Sequence, residues 1–140
     1  MTFSSEKLLN ELDRNPDQIP RFWATELKNG KDAYAFLTKA IRSSELNVDQ
    51  MRNALHALFR IRGHGSSSDV LEIFVELASH PNREIRSEAV QLAIGLVRFI
   101  NDAEKIQMRL SDKQEESLRA AVAVGLTPKV AELAANFLKG

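Results

Sequence analysis

Few residues in this chain are of a type and spacing that could do chemistry. Its three histidines are His56, His64 and His80, and none belongs to HExxH or to another short pattern that would set two imidazoles around a metal. Ser66, Ser67 and Ser68 stand close after His64. Adjacency in sequence does not supply the oriented base that activates a serine nucleophile. The run from Gly63 to Ser68 invites comparison with a phosphate cradle, but it lacks the Lys-Ser/Thr of a P-loop and no strand precedes it. It reads instead as a loop with a helix N-cap, and as the loosest connection in the chain. The carboxylates are spread over amphipathic faces, as solubilising groups are. There is no cysteine, which excludes disulfides, thiolate metal sites and cysteine nucleophiles together. The expectation is therefore a non-enzymatic chain with no catalytic residue, no metal and no cofactor.

The most uneven chemistry is basic. From Gln50 to Ser68 there is no acid, while Arg52, Arg60 and Arg62 are present with His56 and His64. Spacing of three or four residues sets Asn53, His56 and Arg60 toward one side of a helix, with Arg52 on its shoulder. Guanidinium groups suit bidentate contact with carboxylate or phosphate. The competing reading is a solvated face whose arginines pair locally with Asp49, Glu84 or Glu88. The whole chain carries 19 Lys+Arg against 19 Asp+Glu, so its formal net charge is zero. That balance argues against nucleic-acid binding by bulk electrostatics and leaves room for a local basic strip. Phe22, Trp23 and Tyr34 are among few aromatics, 6% of the chain, and read as core rather than as a platform for stacking bases.

The elements that must position these residues read as helices throughout. Helices are expected over about 5–14, 17–28, 31–43, 48–62, 69–79 and 83–100, then from a Ser111/Gln114 capping box to 124, and from Thr127-Pro128 to 138. Asn29-Gly30 reads as a C-terminal stop, Asn47 as a cap, and residues 101–111 as ambiguous. No segment alternates with period two, so no sheet is predicted. On the helix over 83–100, Ile85, Ala89, Leu92 and Leu96 make one apolar face, and Val90, Ile94 and Val97 project from another. Two apolar faces mean burial between neighbours or a patch for self-association, and burial is the favoured reading. Gly95 reads as a site of close backbone approach. On the last helix Val130, Leu133, Ala134, Phe137 and Leu138 form one stripe, with Lys129, Glu132 and Asn136 opposite.

Helix pairs align on one another. Met51, Arg52, Leu55 and Leu58 fall on Ile85, Arg86, Ala89 and Leu92, while Ala33, Phe36, Leu37 and Ala40 fall on Val70, Ile73, Phe74 and Leu77. Two helices per unit at a period of roughly 35 to 45 residues is the pattern of helical solenoids. The stretch Leu77 to Val90, with Pro81, Asn82, Arg86 and Ala89, followed by Ala93, resembles a HEAT repeat of the armadillo-like class. The resemblance implies a single all-α domain over 1–140, a short right-handed α-α superhelix of seven or eight antiparallel helices paired over about 5–28, 31–62, 69–100 and 112–138. It further implies a scaffold that binds another protein on a curved surface, with Arg52, His56 and Arg60 lying beside Arg83 and Arg86 as a basic strip facing an acidic partner. Nucleic-acid-backbone binding through the same strip is the alternative, and a small-ligand or enzyme site invisible in sequence is another. Met1 to Glu6 carries neither a basic n-region nor an apolar h-region, and no apolar run is long enough to span a bilayer. A cytoplasmic protein with no membrane partner is expected.

Overall fold

A helix persists where apolar residues recur every three or four positions and its first turn is capped, and the chain meets both conditions repeatedly. The computed structural model describes residues 27–43, 45–103 and 107–139. Among these residues the regular structure is entirely helical, so the all-α expectation holds. The helices are α1 (Leu27–Arg42), α2 (Val48–Arg60), α3 (Ser67–Leu77), α4 (Arg83–Ala103), α5 (Asp112–Val124) and α6 (Pro128–Leu138), with a 3-10 turn at Arg62–His64. The helix expected over 5–14, and that over 17–28 except for its last two residues, lie outside the described residues. The chain divides into two units, Met1–Val70 and Leu71–Gly140, with the boundary inside α3.

In the first unit α1 packs on α2 and on the 3-10 turn. Ala33, Leu37, Ala40 and Ile41 are the buried stripe of α1, and Met51, Ala54, Leu55 and Leu58 lead that of α2. Asn29-Gly30 does not stop a helix as expected: both residues lie in the first turn of α1. Glycine in a helix costs about 1 kcal/mol relative to alanine, which is outweighed where each large apolar side chain buried downstream contributes about 1.5–3 kcal/mol. Asn47 caps α2 as expected. Its side chain accepts from the Gln50 N–H at 2.8 Å, and the Gln50 side chain accepts from the Asn47 N–H at 3.1 Å, completing a capping box. In the connection over Gly63–Ser68 a Cβ at Gly65 would run into the Tyr34 ring of α1, whereas one at Gly63 would meet nothing within 4 Å. Arg62 secures the same turn, donating to the Phe59 carbonyl at 2.8 Å with its guanidinium 4.8 Å from the centre of the Phe59 ring.

In the second unit α6 packs against both α4 and α5. Ser111 and Gln114 form the expected capping box of α5, and α6 opens with Pro128 in its first turn. Val90 and Ile94 of α4 are buried with Leu118 and Ala121 of α5 and with Val130, Ala134 and Leu138 of α6. Val97 is buried as well, so the second apolar face of α4 is interior. Its remaining solvent side is a stripe through Glu84, Glu88, Gln91, Gly95, Arg98 and Asp102, all exposed or half-buried. Gly95 lies on that stripe, and a Cβ there would meet nothing within 4 Å, so no close approach requires it. Gly95→Ala should therefore stabilise the protein by about 1 kcal/mol, measured as a higher urea midpoint at unchanged m-value. Of residues 101–111, ambiguous in sequence, 101–103 end α4 and 107–110 are irregular. The Asn101 side chain donates to the Met108 carbonyl at 3.1 Å and accepts the Met108 N–H at 2.6 Å.

Candidate functional site

Burial of one side of α2 fixes where its basic residues stand. With Met51, Ala54, Leu55 and Leu58 inside, Arg52 and His56 are half-buried and Arg60 is exposed. They recur every four residues, so they share one helix face over about two turns. This row belongs to the first unit, whereas Arg83 and Arg86 belong to the second.

Arg83, the first residue of α4, is exposed. Arg86 is not the surface cation that the expected strip requires. It is 5% exposed, and its guanidinium is held by backbone carbonyls. Nε and Nη2 donate to the Gly125 oxygen at 2.9 and 2.6 Å, and Nη1 donates to the oxygens of His80 and Pro81, each at 3.0 Å. Gly125 is the C-cap of α5, and His80 lies just beyond the end of α3. The fork thus sits at the negative poles of two helices, which compensates its burial without a carboxylate. Ser87, 3% exposed, accepts the Thr127 N–H at 2.9 Å. Two consecutive buried polar residues therefore grip the α5–α6 connection. Gly125 adopts φ of 128°, which favours glycine. No sequence pattern marked that residue, although glycine followed two positions later by a Thr-Pro cap was a usable turn signal.

His80 completes the turn into α4. Its Nδ1 accepts the Asn82 N–H at 3.0 Å, and the Asn82 side chain in turn accepts the Ile85 N–H at 3.0 Å. Burial, and after it the positive charge of Arg86, lowers the His80 pKa below its ordinary 6.5. Protonation would also convert the Nδ1 acceptor into a donor facing an N–H. Because the folded-state pKa is the lower one, the unfolded chain binds the extra proton first. The His80 contribution is full above pH 6.5 and is lost as pH falls through the lowered value. Urea titrations between about pH 5 and pH 8 should show wild-type stability rising with pH more steeply than that of His80→Asn, in which the amide oxygen replaces Nδ1 as an acceptor without titrating.

Among the described residues no group of three or more His, Cys, Asp or Glu side chains could hold a metal ion, and no helix is long and apolar enough to cross a membrane. Comparison with family models, with curated proteins and with solved structures gives no match.

Proposed function

We propose that this chain is a non-catalytic protein-binding module of HEAT-like, right-handed superhelical architecture, working in the cytoplasm and engaging an acidic partner through the basic face of α2. The observation that carries this reading is the row Arg52, His56 and Arg60, set on one face of a helix whose other side is buried, within a stretch free of acids from Gln50 to Ser68. The Pro81-Asn82 turn and the structural arginine that follows it support the HEAT resemblance. Arg83 remains a candidate contact, whereas Arg86 holds its own unit together. Truncating an arginine whose ion pair is desolvated at the interface should cost about 2–5 kcal/mol of binding, and truncating one at the rim under about 1 kcal/mol.

The test is capture from native lysate with wild type and with the double variant Arg52→Glu/Arg60→Glu, after circular dichroism shows equal helicity. Loss of a specific partner on charge reversal is the expected result, and recovery of the same partners by both proteins would remove α2 from the reading. A parallel titration with duplex DNA separates the nucleic-acid alternative, whose affinity falls steeply with salt.

A further inference from the structure

The turn between α3 and α4 is gathered around two peptide carbonyls. Those of His80 and Pro81 both accept from Arg86 Nη1, each at 3.0 Å. The bond from the Asn82 N–H to His80 Nδ1, at 3.0 Å, closes a ring of atoms that includes both carbonyl carbons. The imidazole therefore sets the conformation in which the turn presents those oxygens to Arg86. A backbone N–H can only donate, so Nδ1 carries no proton and the neutral ring keeps its proton on Nε2.

Arg86 reaches beyond this turn. Its Nε and Nη2 hold the Gly125 oxygen at 2.9 and 2.6 Å, and the next residue, Ser87, accepts the Thr127 N–H at 2.9 Å. One buried guanidinium thus joins the α3–α4 turn to the α5–α6 connection, and a displaced anchor at one end is felt at the other. Of the charged groups on the elements that meet here, Glu76 on α3, Arg83 and Glu84 on α4 and Lys129 on α6 are exposed. Arg86 is the charge that acts on the His80 ring. A proton added at Nδ1 would face the Asn82 N–H and set a second positive charge beside the guanidinium. We infer that protonation of His80 loosens the hold of Arg86 on the α5–α6 connection, so that acid promotes release of the C-terminal helix pair from α4 while the first unit keeps its packing. Release would uncover Val90 and Ile94, so the device couples proton concentration to exposure of an apolar helix face. The lowered pKa of His80 has the matching sign: the closed arrangement resists the proton, so the proton favours the open one.

The chain has no cysteine, so a single introduced thiol reports opening at one place. Ala134→Cys in α6 and Ala33→Cys in α1 replace side chains that are 0% exposed, and Ala123→Cys, at an exposed position, is the reference for thiol reactivity. Relative to that reference, labelling of Ala134→Cys by dithiodipyridine should rise about threefold between about pH 7.5 and about pH 5. Labelling of Ala33→Cys should stay within about 1.5-fold, and adding His80→Asn should abolish the rise at Ala134→Cys. An equal rise at both buried positions, no rise at Ala134→Cys, or a rise that survives His80→Asn would each overturn the inference. Wild-type NMR tests the coupling without any cysteine. The Gly125 and Thr127 amide shifts should titrate with the midpoint of the His80 ring, below pH 6.5, and amide shifts that ignore that midpoint would equally overturn it.

Discussion

Arg86→Met should lower the unfolding free energy by about 4 kcal/mol, the largest loss expected from any single change at a polar side chain described above. Methionine approximates the length and apolar body of the arginine stem, so packing is largely preserved and the loss isolates the guanidinium. Four hydrogen bonds disappear, and the carbonyls of His80, Pro81 and Gly125 lose a shared donor. Each carbonyl left dry costs about 1–3 kcal/mol, while water entering the vacated space reduces the sum. Arg86→Lys should recover less than half, because one ammonium cannot reproduce a planar fork that reaches both the α3–α4 turn and the α5 C-cap. Urea unfolding of the three proteins at neutral pH provides the measurement. A loss below about 1 kcal/mol for the methionine variant would mean that water satisfies those carbonyls in full.

Ile94→Ala should cost about 3 kcal/mol, the expected effect of deleting most of a large aliphatic side chain from a site 1% exposed. Its neighbours come from three helices, so no single rotamer change closes the space. The same variant tests the other meaning that a two-sided apolar helix could have. Were that face a patch for self-association, Ile94→Ala would leave the isolated chain's stability nearly unchanged and shift its sedimentation toward a smaller species. A drop in stability at constant sedimentation coefficient is the outcome the structure demands.

The local signals of the second unit were legible in the sequence because they are short-range. The Ser111/Gln114 box and Thr127-Pro128 act within one turn, and the α5 and α6 boundaries follow from them. Signals at Asn29-Gly30 misled because a turn preference of about 1 kcal/mol competes with tertiary burial several times larger. α3 begins at Ser67 and ends at Leu77, two residues earlier at each end than expected over 69–79, for local reasons. Ser66 accepts the Asp69 N–H at 3.4 Å, and the N–H groups of Ser79 and His80 bond three residues back at 3.2 and 3.0 Å, tightening the end. The candidate site was legible at α2, where residue spacing alone defines a face. It was not legible at Arg86, whose carbonyl partners at Gly125 lie 39 positions away. Nor does composition reveal that Gly95 faces solvent, since glycine carries no side-chain periodicity. The pairing of Asn101 with Met108 is likewise one that no helical period encodes.

The grip of Arg86 and Ser87 on the α5–α6 connection carries a kinetic consequence. Both bonds close a loop of about forty residues, the Ser87–Thr127 bond spanning 40 positions. Closure of that size forfeits chain entropy before any contact rewards it, so it belongs to a late, non-local step, whereas the capped turns of α5 and α6 can form at once. The Thr127 amide, lying in a connection between helices, would be a fast site for deuterium uptake in an ordinary loop. Here its proton is sequestered until α4 separates from the C-terminal pair, and its exchange rate reports that separation directly.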